Sequence, residues 1–235
     1  MKITSVIKGS TPPALPAQGV GLAVFATFAL TYVLAYGLRS VNATLAPYLT
    51  EDLRLSAAGL GGLSAAYFIA FAALQLPLGH WLDRYGARRV EAMLLVIAAV
   101  GALLMALGRD ITVATAGRLC IGIGVSACLM APYTYFRRCC TPERQARLSQ
   151  WMLVAGTTGA VLATLPTGAM AEWLGWRGVF GTIAVLLLGS AVAVYRLVPD
   201  HDLAAMTRRP RRHRPLARPV SGVTRTSCPC CRSAS

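Results

Sequence analysis

The chain has 235 residues, 55% of them hydrophobic and 14% charged, with a formal net charge of +14 and a mean hydropathy of +0.56. A soluble domain carries roughly 25% charged residues. A water-soluble enzyme or nucleic-acid-binding domain is therefore excluded for the apolar bulk of the chain, whose solvent must be lipid. Lys and Arg are costly inside a bilayer, so the positive charge belongs to short connections and to a C-terminal tail.

A helix needs about 20 apolar residues to cross the hydrocarbon core. Six stretches qualify, at about 20–49, 56–78, 90–107, 111–135, 148–170 and 176–197. Each spanning backbone must satisfy its own hydrogen bonds, which selects helices. The expected fold class is an all-α membrane protein, a six-transmembrane-helix bundle spanning 20–198. A segment at 1–19 precedes it and a basic, disordered tail at 199–235 follows.

Loop charge orients such a bundle. One side carries Lys2, Lys8, Arg84, Arg88, Arg89, Arg137, Arg138, Arg144 and Arg147; the other carries Arg54, Arg109 and Arg177. Nine against three places both termini in the cytoplasm. The N-terminal segment has no apolar core of its own, and the first helix serves as an uncleaved insertion signal.

Small residues recur inside the spans: Gly117, Gly122, Gly124 and Ser126 in the fourth, Gly156 and Gly159 in the fifth. They let membrane helices approach closely. Cys120 and Cys128 lie in an apolar run and act as small hydrophobes. Cys139 and Cys140 lie in a basic connection.

The tail from Arg208 to Ser235 is rich in Arg and Pro and holds no acid, a disordered composition. It looks like translation of a shifted GC-rich frame, and no seventh helix appears before the sequence ends. Its arginines suit attraction to anionic lipid. Cys228, Cys230 and Cys231, with His201 and His213 nearby, do not supply the ligand spacing of a zinc site. No nucleophile–base pair is visible. The expectations are therefore no metal, no cofactor, no nucleic-acid partner and no enzymatic activity.

Arg39 and Asn42 interrupt the first span. A charge inside the membrane marks a functional site by default. Helical spacing puts Tyr32, Tyr36 and Arg39 on one face, with Asn42 beside them. An arginine flanked by hydroxyl donors in a low-dielectric cavity suits a carboxylate or another oxyanion. The alternative is that the helix ends early and Arg39 snorkels to the interface. Arg118, seven residues into the fourth span, carries the same alternative. Ser64, Phe71 and Gln75 share a face of the second span, where they either line the cavity or pack against neighbours. No acid is expected in mid-membrane, Glu51 and Glu172 falling at the outer boundary.

Between the second and third spans the chain reads Gly79-His-Trp-Leu-Asp83-Arg84-Tyr-Gly86-Ala-Arg88-Arg89. Two glycines allow a tight turn and close packing. The arginines can pair with Asp83, and Asp83 can cap a neighbouring helix N-terminus. This stretch resembles the signature loop of the major facilitator superfamily, G-x-x-x-D-R-x-G-x-R-R. Arg118-Leu-Cys-Ile-Gly122-Ile-Gly124 resembles that superfamily's R-x-x-x-G-x-G motif. Trp173-Leu-Gly-Trp176-Arg177 resembles the G-W-R sequence that opens its sixth span.

The resemblance covers residues 20–198 and implies the N-terminal half of a twelve-helix secondary transporter. In such a protein two six-helix halves rock about a central cavity. It implies that Asp83 belongs to a cytoplasmic charge latch between the halves, and that Arg118 has a buried structural or proton-coupling role. Tyr36-Gly-Leu-Arg39-Ser-Val-Asn42 and Gln75-Leu-Pro-Leu-Gly79 also resemble the anion:cation symporter branch. That points to import of organic anions with a coupling proton or cation. A Gly-Pro signature of drug antiporters is absent from the fifth span, where Ala155-Gly156-Thr-Thr-Gly159 stands. The implied setting is multi-pass in a bacterial inner membrane. The implied partners are lipid, a small solute, and a second six-helix half or a second copy of the chain. The alternative is a membrane remnant that does not transport.

Overall fold

The computed structural model describes residues 21–199; residues 1–20 and the tail from 200 onward lie outside the described residues. All regular structure within 21–199 is helical. In chain order it comprises α1 (Leu22–Thr44), α2 (Ala46–Asp52), α3 (Ala57–Tyr85), α4 (Ala87–Leu107), α5 (Ile111–Val125), α6 (Ala127–Cys139) and α7 (Pro142–Leu197).

The first span ends at Thr44, short of the expected 49. Pro47 sits in the first turn of α2, where its missing N–H is harmless, and α1 cannot continue through it. Ser56 starts α3 by accepting a hydrogen bond from the Gly59 amide at 3.1 Å, the usual role of a serine N-cap. α3 then runs through Gly79 and Asp83 to Tyr85. The expected loop between the second and third spans is therefore mostly helix. Its one break is Gly86, at φ 84° and ψ 155°, a conformation that costs a side-chain-bearing residue dearly.

The fourth span is made of α5 and α6, joined at Ser126, whose hydroxyl bonds the Ile123 carbonyl at 2.7 Å. α7 counts 56 residues, about 84 Å if straight at 1.5 Å per residue. That is far beyond a bilayer, and the helix folds back at Gly175, where φ is 68°. Its two legs are the fifth and sixth rods of the bundle.

Five stretches are long and apolar enough to cross a membrane: Leu22–Thr44, Ala57–Tyr85, Ala87–Leu107, Ile111–Cys139 and Pro166–Leu197. The remaining rod, the first leg of α7, lies along α1. A Cβ on Gly156 would strike the Tyr32 ring, and one on Gly159 would strike Val33. The second leg lies along α4, where Arg88 stacks on Tyr195 at 4.5 Å.

Lipid offers no hydrophobic drive to helix pairing, so close packing supplies the attraction. A Cβ on Gly101 would come within 2.7 Å of the Gly117 carbonyl oxygen, and one on Gly117 within 2.9 Å of the Gly101 carbonyl oxygen. The α4 and α5 backbones touch there. Phe28, Tyr135 and Phe136 form an aromatic knot, with ring centroids 5.5 Å apart for Phe28–Tyr135 and 6.1 Å for Phe28–Phe136. It ties the start of α1 to the end of α6. Residues 21 and 199 thus lie at the same end of the bundle as Asp83 and Arg137.

Candidate functional site

Arg39 is half-buried on α1. Its Nε donates to the Tyr67 hydroxyl of α3 at 3.2 Å. Its guanidinium carbon lies 4.6 Å from the Phe71 ring centroid and 5.3 Å from that of Tyr36, within cation–π range. No carboxylate pairs with it among the described residues. Tyr32 packs edge-on against Tyr36 at 4.8 Å, extending the aromatic wall down α1. Tyr32, Tyr36 and Arg39 therefore do share a face.

Asn42 departs from the expected arrangement. Its amide nitrogen donates to Ser64 at 2.6 Å, and its carbonyl oxygen accepts from Arg118 Nη2 at 2.5 Å. It bridges α1, α3 and α5 rather than joining Arg39. Gln75 is half-buried two turns along α3 from Tyr67 and makes no side-chain hydrogen bond among the described residues. Tyr67 and Phe71 complete a stripe at 64, 67, 71 and 75, helical spacing that was readable in the sequence, although Tyr67 was not singled out.

Arg118 does not snorkel. It is 1% exposed, and its guanidinium faces the Phe180 ring at 5.1 Å. Gly122 and Gly124 make room for this arrangement. A Cβ on Gly122 would collide with the Tyr67 backbone, and one on Gly124 with Ala98. The R-x-x-x-G-x-G stretch thus presses α5 onto α3 and α4 while Arg118 reaches into the bundle.

At the end where α3 meets α4, Asp83 Oδ1 accepts from Arg137 and Arg138 of α6, each at 3.2 Å. Arg138 also bonds the Leu82 and Asp83 carbonyls at 3.4 Å. The expectations that Asp83 pairs with its own neighbouring arginines and caps a helix are corrected. The partners come from α6, and α4 starts at Gly86 without a side-chain cap. Arg84 lies over Tyr85 at 5.6 Å. Gly79 faces open space, so close packing does not require a glycine there. Arg88 and Arg89 open α4.

At the opposite end, Asp52 accepts from the Trp176 indole at 2.9 Å and from Arg177. Arg177 also bonds the Gly108 carbonyl at 3.3 Å. The Trp176 and Arg177 hydrogen bonds hold the Asp52 carboxyl below its ordinary 3.8. This clasp explains the Gly-Trp-Arg sequence locally: Gly175 makes the turn, and the next two side chains fasten it to α2 and α4. A cleft of about 630 Å³ at this end is lined by residues that include Arg54, Ser56, Arg109 and Asp110. None of the Arg39 cluster lines it.

One acid of the third span is enclosed by the bundle, near the end where α3 meets α4. Glu91 of α4 is completely buried, and its Oε1 lies 2.8 Å from the Thr31 hydroxyl of α1. α4 starts at Ala87, Glu91 stands about one turn in, and Thr31 of α1 meets its carboxyl. Among the described residues no group of three His, Cys, Asp or Glu could hold a metal. Cys228, Cys230, Cys231, His201 and His213 lie outside the described residues.

A helical bundle with long, predominantly apolar spans, buried charges within them and charged clasps at both ends defines a polytopic membrane protein. The family model "Major Facilitator Superfamily" matches residues 28–227, and the chain belongs to that superfamily. It is 29% identical over 212 residues to a chloramphenicol efflux pump of Mycobacterium tuberculosis, covering 87% of this chain and 50% of the pump. It is 25% identical over 186 residues to a probable L-galactonate transporter of Escherichia coli, covering 79% of this chain and 40% of that protein. The chain thus spans about half or less of the length of these relatives. Its fold is similar to that of the E. coli xylose transporter XylE in an inward-open conformation. The TM-score is 0.65 at 22% identity, over 75% of this chain and 48% of that one.

Proposed function

We propose that the chain forms one wall of a transport path for small organic anions, with Arg39 as the anion-binding group. The observation that carries this is the state of Arg39. Tyr67 tethers it through Nε, aromatic rings flank it, and no carboxylate among the described residues pairs with it. The two terminal nitrogens are thereby left to a planar, bidentate acceptor, which a carboxylate is. Tyr36 and Gln75 would contact the rest of the solute, and Asn42 would brace α1 against α3 and α5 through Ser64 and Arg118. The likeness to a probable L-galactonate transporter agrees with a carboxylate solute.

Transport would be secondary and coupled to a proton or cation, in a bacterial inner membrane with the Asp83 end in the cytoplasm. A facing wall would come from a second six-helix unit, either a partner half or a second copy. The chloramphenicol efflux pumps among the relatives favour a second reading, efflux of a neutral drug.

Equilibrium binding of labelled hexonates and of chloramphenicol to the purified chain in nanodiscs separates the two readings. The anion reading expects hexonate binding that weakens at least tenfold, about 1.4 kcal/mol, in Arg39→Ala and recovers partly in Arg39→Lys. Chloramphenicol binding that ignores Arg39, with no hexonate binding, would select efflux.

A further inference from the structure

Glu91 is not used by the anion site. A hydroxyl carries one proton, yet Thr31 Oγ1 lies 2.8 Å from two oxygens, the Phe28 carbonyl and Glu91 Oε1. The carbonyl can only accept. Thr31 can donate to only one of the two at a time, and whenever it donates to the carbonyl the bond to Glu91 needs a proton on the carboxyl. Oε2 has no hydrogen-bond partner, and the residue is 0% exposed. An ionised carboxylate sealed from water needs a cation or several donors, and Glu91 has neither among the described residues.

The groups on every element around α4 are otherwise engaged. Thr31 comes from α1. From α6 come the buried Cys128 thiol, which lies within electrostatic reach of Glu91, and Arg137 and Arg138, which are held by Asp83 of α3. From α5, Arg118 binds Asn42. From the second leg of α7, Tyr195 lies under Arg88.

We propose that Glu91 is a proton-binding residue of this chain: its carboxyl carries a proton that is donated to Thr31 across the α1–α4 contact, and release of that proton is tied to parting of the two helices. The chemistry balances, because the carboxylic acid O–H breaks, the proton leaves to water and the carboxylate keeps the electron pair. The carboxylate needs hydration, which an opening beside Thr31, between α1 and α4, would admit. Coupling of this proton to solute movement rests on the transport reading above; the protonation itself does not.

Infrared spectra of the full chain in nanodiscs, taken across a pH series, read the carbonyl stretch of a protonated carboxyl directly. The expected result is an acid band at neutral pH that is absent from Glu91→Gln and shifted in Thr31→Val. Spin labels at the exposed Leu22 and Met93 report the α1–α4 distance. That distance should widen as the band disappears with rising pH and should stay constant in Glu91→Gln. Glu91→Asp, which keeps the carboxyl, serves if the glutamine variant fails to fold, and should keep an acid band. A spectrum without an acid band assignable to residue 91, or a distance that moves equally with pH in Glu91→Gln, overturns the proposal. Neither readout measures solute binding, so failure here and failure of the anion site are distinguishable.

Discussion

Removing Asn42 tests whether Arg118 is held by one decisive partner. Arg118 is 1% exposed, and a single side-chain hydrogen bond, 2.5 Å to Asn42 Oδ1, anchors its charge. A hydrogen bond to a charged group contributes about 1.5–3 kcal/mol, and orphaning a buried charge costs at the upper end of that range. Asn42→Ala should therefore destabilise the bundle by about 3 kcal/mol. Some of that reflects the lost Ser64 bond, a neutral pair contributing about 1 kcal/mol. Arg118→Leu removes the charge instead of stranding it, and substitution of a buried charge by an apolar side chain is often mild. It should cost about 1–2 kcal/mol, chiefly for the Asn42 carbonyl left without its donor. The double variant strands neither group and should cost about 1 kcal/mol, chiefly the lost Ser64 bond. The coupling between the two positions would then be about 3 kcal/mol. Reversible unfolding in mixed detergent micelles, run on all four proteins of the cycle, measures it. Strict additivity, with a coupling below about 0.5 kcal/mol, would refute the view that Asn42 holds the buried guanidinium.

Gly101→Ala forces a methyl to 2.7 Å from the α5 backbone and should cost about 1–3 kcal/mol in the same unfolding assay, whereas Gly61→Ala, facing open space on α3, should be neutral or stabilising by up to about 1 kcal/mol. Gly175→Ala keeps the turn but places a side chain at φ 68°, a change expected to cost about 1–2 kcal/mol. Asp83→Asn loses an exposed pair of contacts and should cost no more than about 1 kcal/mol, less as salt is raised. For Asp52 the folded carboxyl titrates below the ordinary 3.8, so its stabilising contribution is complete above that value and fades as pH falls through the lower, folded one. Trp176 emission, read with Trp81, Trp151 and Trp173 replaced by Phe, should change only below about pH 4, and Asp52→Asn should abolish the transition.

Much of the bundle was legible because lipid enforces it. Long apolar runs can only be helices there, and the hydropathy of 57–85 or 87–107 leaves no other reading. The Tyr32, Tyr36 and Arg39 face followed from helical spacing alone. What escaped was tertiary. Asn42 reads as a neighbour of Arg39, yet Arg118, 76 positions away in sequence, turns it elsewhere. Asp83 sits among arginines in sequence and finds its partners on α6. Asp52 was passed over in a short connection because nothing local shows that Trp176 and Arg177 will arrive 124 and 125 residues later. Glu91 falls within the span expected at 90–107, and nothing local shows that Thr31, 60 positions away, will meet its carboxyl.

The fold-back at Gly175 also bears on how the chain is assembled during synthesis. The first leg of α7 covers the Tyr32 and Val33 face of α1, and the second leg covers α4. Both covering surfaces are translated last among the described helices. Until that final hairpin enters the bilayer, α1 keeps its α7-facing side toward lipid or the insertion machinery. Arg118 meanwhile lacks the Phe180 ring over its guanidinium. The hairpin therefore acts as the closing piece of biogenesis, and a ribosome paused before residue 175 would hold an open, polar-seamed intermediate, the kind of species that membrane quality control recognises.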